Sequence, residues 1–136
     1  MLERFTVYVA SFSYHLDSVP RDPFGHGGGY VIDCRVLPNP GKLEVYKDYS
    51  GLQSAVKEWL ENNPLVEKFW NQIEVLTNTI FDLASSKEMF ELAFCFGCTG
   101  GRHRSVYIAN RFADSLKRRQ ATVILEHIQL KKLGLI

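Results

Sequence analysis

The sequence has no long apolar run, no excess of one charge and no paired set of cysteines. No stretch approaches 20 apolar residues, and Glu3 and Arg4 stand close to Met1 where a signal peptide would carry an apolar segment, which argues against membrane insertion and secretion. With 16 basic and 15 acidic residues, the net charge of +1 provides no overall field for nucleic acid or an anionic membrane. The odd number of cysteines favours a reducing compartment, so we predict a cytoplasmic protein.

Several binding motifs are also missing. The nucleotide-binding pattern G-x-x-x-x-G-K-[ST] does not occur, and the four histidines lack the spacing of metal ligands. We therefore predict no metal site and no cofactor. The 136 residues contain no repeat, no low-complexity segment and no linker, so residues 1–136 are predicted to form a single domain.

The hydrophobic pattern predicts alternating strands and helices. Strands are expected over residues 5–12, 30–37, 92–96 and 121–128. Helices are expected from residue 50 or 51 to 62, from 64 to about 83 and from about 104 to 117–119. Asn63 and Pro64 are a typical N-cap and first-turn pair for the second helix. Its core-facing stripe is predicted to consist of Leu65, Phe69, Ile73, Leu76, Ile80 and Leu83. This order predicts an α/β domain with a mostly parallel or mixed sheet flanked by helices.

A long loop separates the first two predicted strands. Residues 13–29 contain two prolines and four glycines, too many for regular structure. Its length is typical of a lid or binding loop, and a tolerated surface insertion is the alternative.

Residues 97–105 (GCTGGRHRS) join an apolar strand to an amphipathic helix. Unpaired N–H groups and the positive end of the helix dipole attract anions at such a position. Gly100 and Gly101 let the backbone approach a ligand closely, and Arg102, His103 and Arg104 supply charge and hydrogen-bond donors. The segment therefore predicts an anion-binding turn.

Asp33 and Arg35 are the charged residues of the second predicted strand. Alternation places them on one face, together with Val31. They could form an internal ion pair or the polar floor of a ligand site, and their position near a strand end favours the ligand site.

The same turn fits the pattern C-x5-R of cysteine-dependent phosphatases, from Cys98 to Arg104, followed by Ser105. In such a loop a thiolate attacks phosphorus while backbone amides and the arginine hold the phosphate oxygens. Gly97 occupies the position where those enzymes usually carry histidine. Asp17 and Asp22 are the available candidates for a leaving-group acid, so catalysis is the second hypothesis.

Two segments, residues 97–109 and 33–40 (DCRVLPNP), resemble the C-terminal domain of the RNase adapter protein RapZ. The family patterns are close to GCTGGKHRSVYIA and D-x-R-F-L-P-N-P, and the resemblance extends over essentially the whole chain. It implies binding of glucosamine-6-phosphate by a sensor or adapter domain rather than a catalyst. The residues implied are Asp33, Arg35 and Asn39 beside the sugar, Thr99, Gly100, Gly101, His103 and Arg104 around the phosphate, and Cys98 and Ser105 framing the turn.

The resemblance also sets expectations for partners. The P-loop nucleotide-binding domain of family members is not found in this sequence, so we expect a homo-oligomer or a separate P-loop protein as partner, and no membrane. Gly41 stands where the family frequently carries histidine, and the Gly-rich loop, residues 24–29, is longer than in typical members. RNA binding by family members implies a basic surface, for which this chain offers Lys117, Arg118, Arg119, Lys131 and Lys132.

Overall fold

The computed structural model describes all residues, Met1–Ile136. Four strands form one parallel sheet: β1 (Thr6–Ser13), β2 (Tyr30–Asp33), β3 (Glu91–Cys98) and β4 (Thr122–His127). The helices are α1 (Ser54–Glu61), α2 (Pro64–Ser86), α3 (Arg104–Arg118) and α4 (Ile128–Lys132), with a short 3₁₀ turn at Pro40–Lys42. This architecture confirms the predicted α/β class. None of the helices is both long and apolar enough to span a membrane.

The strand order is β2-β3-β1-β4, so β1 and β3 are central and every strand runs in the same direction. In register, Ser13 pairs with Cys98 and Asp33 pairs with Gly97. The carboxyl ends of the strands therefore meet at one end of the sheet. Ligands of open parallel sheets bind outside this end.

The two faces of the sheet are covered unequally. The larger core lies on the face that packs against α1, α2 and α3, and includes Phe94, Phe96 and Phe112. The opposite face is covered by the loop after β1 and by α4, around a smaller cluster that contains Tyr8 and Phe12.

The second strand is shorter than predicted. It ends at Asp33, and residues 34–37 form a turn, so Arg35 does not continue the strand alternation. The turn is held by the Leu37 N–H, which donates to the Cys34 carbonyl at 3.1 Å. The prediction that Asp33 and Arg35 share one strand face is therefore wrong.

The predicted stripe of α2 is also wrong at three positions, because Leu65, Leu76 and Leu83 are exposed. The helix is apolar on more than one side, so spacing alone admits two registers. The buried stripe consists of Val66, Trp70, Ile73, Thr77, Ile80, Phe81 and Ala84. Thr77 can lie within it because its hydroxyl donates to the Ile73 carbonyl at 2.7 Å. The predicted N-cap is confirmed, since Asn63 accepts from the Leu65 N–H at 2.9 Å.

Candidate functional site

The turn of residues 99–103 connects the end of β3 to the start of α3. Gly101 has a φ of +66°, and a Cβ at this position would lie 2.7 Å from the Ser13 backbone nitrogen. Ser13 in turn donates from its hydroxyl to the Thr99 carbonyl at 2.6 Å. Glycine is therefore required here both by conformation and by contact with β1.

The backbone donors of this turn are free. None of the N–H groups from Thr99 through Val106 donates to a protein acceptor. They include the first three N–H groups of α3, where the helix dipole adds positive potential. The turn and helix start together supply a concentrated set of donors for an anion.

Arg104, the first residue of α3, is buried, with 5% of its surface exposed. Its Nη1 donates to the carbonyls of Arg35 and Leu37 at 2.8 and 3.0 Å, and its Nη2 lies 3.4 Å from the Thr99 hydroxyl. Its Nε is buried and has no partner. The guanidinium is thus fixed by the turn after β2 while one of its donors stays unused. A buried, unpartnered donor of a charged group is costly unless an anion satisfies it.

His103 and Arg102 anchor the segment that follows the 3₁₀ turn. His103 Nε2 lies 3.1 Å from the Tyr46 carbonyl and therefore donates to it, and Arg102 donates to the carbonyls of Asp48 and Tyr49. Burial lowers the pKa of His103, so the ring is neutral at neutral pH and its Nδ1 is an acceptor. A Cβ on Gly41 would lie 3.1 Å from that Nδ1. The glycine therefore leaves the imidazole edge uncovered.

A cleft of about 370 Å³ opens beside the turn. The structure brings six predicted site residues into its lining: Asn39, Cys98, Thr99, Gly100, His103 and Arg104. Sequence reasoning missed Leu16, Gln129 and Leu133, which also line it. A signal was available for the last two, because the predicted strand over residues 121–128 ends at the same end of a parallel sheet as the turn.

Asp33 and Arg35 lie next to this cleft and outside its lining. They form an ion pair with 2.7 Å between Arg35 Nη2 and Asp33 Oδ2, and the Arg35 guanidinium stacks over the Tyr14 ring at 3.9 Å. The hydrogen bonds from Arg35 lower the pKa of Asp33. The pair remains partly exposed and forms a second polar surface beside the turn.

Cys98 is the last residue of β3 and Ser105 the second residue of α3, one on each side of the turn. Both are buried, and the Cys98 Sγ and Ser105 Oγ are 3.1 Å apart. Burial would raise the pKa of Asp17 and Asp22, but the hydrogen bonds that they accept lower it overall. Asp17 accepts from Lys132, Ser13 and Gln129, and Asp22 accepts from three backbone N–H groups of the Gly-rich loop. Both carboxyls are therefore ionised acceptors rather than proton donors at neutral pH.

The five basic residues predicted for RNA are divided between the two ends of the sheet. α3 begins at the carboxyl end and terminates at the amino end, so Lys117, Arg118 and Arg119 lie roughly 20 Å from the turn. Lys131 and Lys132 lie on α4 at the carboxyl end. Lys132 is paired with Asp17, and Arg119 donates to the Asn78 side chain. The structure thus does not join them into one patch.

Comparison of the sequence with known proteins shows which family the chain belongs to. The chain is 35% identical to a nucleotide-binding protein of Halorhodospira halophila over 92% of its own length and 42% of the relative's. It is 37% identical to nucleotide-binding protein CLJ_B3680 of Clostridium botulinum, over 91% of this chain and 40% of the relative. The chain thus spans about two fifths of the length of these curated relatives. The family model described as the RapZ C-terminal domain matches residues 5–131. The chain therefore belongs to the RapZ C-terminal domain family.

Proposed function

We propose that this domain binds a small sugar phosphate, of the glucosamine-6-phosphate type, and acts as a sensor or adapter module. The observation that carries the proposal is the run of free N–H groups from Thr99 to Val106, together with the buried, unpartnered Nε of Arg104, which lines the same cleft. A phosphate has three oxygens that can accept from several such donors at once. A carboxylate has fewer oxygens and would leave more of these donors unused.

The sugar part of the proposal is supported by the size and polarity of the cleft. About 370 Å³ lies within the range of small-molecule sites. The Asn39 and Gln129 amides line it, and the Asp33–Arg35 pair lies beside it. Such groups suit the hydroxyls and the ammonium group of an amino sugar.

Binding without turnover is favoured by the state of the two candidate acids. Dephosphorylation through Cys98 would need a protonated acid next to the leaving group. Asp17 and Asp22 are committed as acceptors and have lowered pKa values. The phosphatase hypothesis therefore lacks its acid, and we assign Cys98 and Ser105 to the support of the turn.

The adapter role is proposed from family membership. The sugar phosphate would be the signal, and RNA, a second copy of the chain or a separate P-loop protein would be the macromolecular partner. The cytoplasm is the proposed location. RNA would have to engage two separate basic clusters, which predicts weak and strongly salt-dependent binding.

A thermal-shift experiment tests the ligand. Glucosamine-6-phosphate at 100 times its Kd should stabilise the protein by about 2.7 kcal/mol and raise the Tm by about 10 °C. Glucosamine without the phosphate should give no shift. Arg104→Lys should remove the shift because lysine cannot reproduce the fixed guanidinium fork. The matched control is Arg118→Lys, an exposed residue at the far end of α3.

The result that contradicts the proposal is the absence of any shift with glucosamine-6-phosphate, glucose-6-phosphate and inorganic phosphate. Release of phosphate from an aryl phosphate by the wild type, abolished by Cys98→Ser, would favour the phosphatase instead.

A further inference from the structure

The residues by which α4 lines the cleft belong to no predicted ligand site. α4 follows β4 without a loop, which brings Gln129 and Leu133 to the cleft. Gln129 is 5% exposed, and a Cβ on Gly101 would lie 2.9 Å from its Cγ. The stem of Gln129 therefore packs against the same turn that carries the free N–H groups.

The amide of Gln129 is held by Asp17. The Asp17 side chain is 2% exposed. Its Oδ1 accepts from Gln129 Nε2 at 2.8 Å and from Lys132 Nζ at 2.5 Å, while its Oδ2 accepts from the Ser13 N–H at 2.8 Å. Burial alone would raise the pKa of Asp17, but the hydrogen bonds from Lys132, Ser13 and Gln129 lower it, so the carboxylate stays ionised.

This contact fixes which way the amide faces. An ionised carboxylate can only accept, so the NH₂ group of Gln129 must point to Asp17 and the Oε1 must point away. No protein donor reaches Oε1, and the buried polar atoms without a partner are Arg104 Nε and His127 Nε2 alone. Gln129 Oε1 therefore keeps access to solvent, in a residue that lines the cleft.

We infer that Gln129 Oε1 accepts a hydrogen bond from the organic part of the ligand, and that Asp17 is the positioning residue that orients it. The inference rests on the proposed function: with phosphate held at the turn, the α4 wall contacts the rest of the molecule. An acceptor at this wall selects ligands whose organic part carries a hydroxyl or ammonium donor. Gln129 would thus determine specificity, whereas the turn supplies affinity for the phosphate common to all candidates.

The test compares Gln129→Met with the wild type by isothermal titration calorimetry. The probes are glucosamine-6-phosphate, glucose-6-phosphate, methyl phosphate and inorganic phosphate. Methyl phosphate has an organic group without a hydrogen-bond donor, and inorganic phosphate has no organic group. Loss of one neutral hydrogen bond should weaken the two sugar phosphates about fivefold, and more for a bond from an ammonium group. Affinity for methyl phosphate and inorganic phosphate should not change. Gln72→Met, at an exposed position of α2, is the matched control.

Asp17→Asn tests the positioning role. An asparagine can both donate and accept, so the Gln129 amide is free to turn its NH₂ group toward the cleft. We expect this variant to lose affinity for the sugar phosphates and to retain it for inorganic phosphate. The double variant should lose no more than Gln129→Met alone, because Asp17 acts through Gln129. Asp114→Asn, exposed on α3, is the control.

The outcomes separate this inference from the proposed function. A wild type that binds none of the four probes overturns both. Wild-type binding with unchanged sugar-phosphate affinity in Gln129→Met overturns the inference alone. An equal loss for inorganic phosphate in Asp17→Asn, with the protein still folded, would show that Asp17 supports the turn rather than the specificity wall.

Discussion

At its amino end the sheet borders a cleft of about 700 Å³, nearly twice the volume of the cleft at its carboxyl end. The larger cleft lies under the Gly-rich loop and is lined by Phe24, Tyr30, Glu88 and Glu91, among others. Its polar groups are largely occupied. Asp22 accepts three loop N–H groups, and His26 pairs with Glu91 at 3.1 Å.

In the smaller cleft, at the carboxyl end, several hydrogen-bond donors have no protein partner. Its donors are fixed in place and unused, from the N–H groups of residues 99–106 to the Nε of Arg104. The volume of a cleft is therefore a weak guide to where a ligand binds. The ligand site that we propose rests instead on preorganised donors without a protein partner, because a ligand that satisfies them recovers free energy.

The largest difference between the two ends is expected on removal of a side chain. Arg104→Met removes the donors of the Arg35 and Leu37 carbonyls inside the structure. The Leu37 carbonyl is buried and the Arg35 carbonyl partly buried. An unsatisfied buried acceptor costs about 1–3 kcal/mol, so the free energy of unfolding should fall by about 3 kcal/mol in urea denaturation. Glu91→Gln weakens the pair between His26 and Glu91, in which both side chains are about half exposed. Such an exposed pair contributes less than about 1 kcal/mol to stability.

A similar loss of stability in the two variants would remove the distinction between the ends. Addition of phosphate supplies the second measurement. It should stabilise Glu91→Gln as much as the wild type and should not stabilise Arg104→Met.

The second contrast concerns two histidines and pH. Burial lowers the pKa of His127 at the end of β4 to about 4, and its Nδ1 lies 2.7 Å from the Ser11 hydroxyl. In the unfolded chain the pKa of histidine is about 6.5. The unfolded state therefore binds more protons between these values, and stability is lost as the pH falls from about 6.5 to 4, by up to about 3 kcal/mol.

This loss should be measured as the free energy of unfolding of the wild type and of His127→Gln across that range. The variant should show a flatter profile. His26→Gln, in the exposed Gly-rich loop, is the matched control for loss of a histidine, and the difference between the profiles of the two variants measures the contribution of His127. A steep profile that persists in His127→Gln would assign the pH dependence to other groups.

Much of the fold could be predicted because local signals and the fold agree. The apolar run of β3, the Asn63–Pro64 start of α2 and the helical spacing of α3 lie where the structure has them. The register of α2 could not be predicted, because its leucines compete with Trp70 and Phe81 and only the shape of the core selects the larger side chains. Such selection depends on packing against distant residues.

The candidate site also has a part that the sequence predicted and a part that it could not predict. The turn was visible in the sequence because glycines, donors and a helix start are contiguous there. The Arg35–Leu37 carbonyls that hold Arg104, and the Asp17–Gln129 contact, join residues far apart in the chain. The prediction that strand alternation places Arg35 on the same face as Asp33 was wrong, because β2 ends at Asp33 and a turn follows. Residue type and spacing thus identified the donors, and tertiary contacts determine how they are oriented.

The smallest contrast is between two glycines with positive φ. Gly101 has a φ of +66°, and a Cβ there would lie 2.7 Å from the Ser13 nitrogen; Gly25 has a φ of +78°, and nothing lies within 4 Å of its added Cβ. Gly25→Ala should cost about 1 kcal/mol from backbone strain alone. Gly101→Ala adds displacement of β1 against the turn and should cost about 2–3 kcal/mol. Because this displacement also moves the free N–H groups, Gly101→Ala should weaken phosphate binding, whereas Gly25→Ala should not. If thermal unfolding shows the same loss of stability for Gly101→Ala and Gly25→Ala, the turn can shift away from β1. Preorganised N–H groups would then no longer explain the proposed anion site.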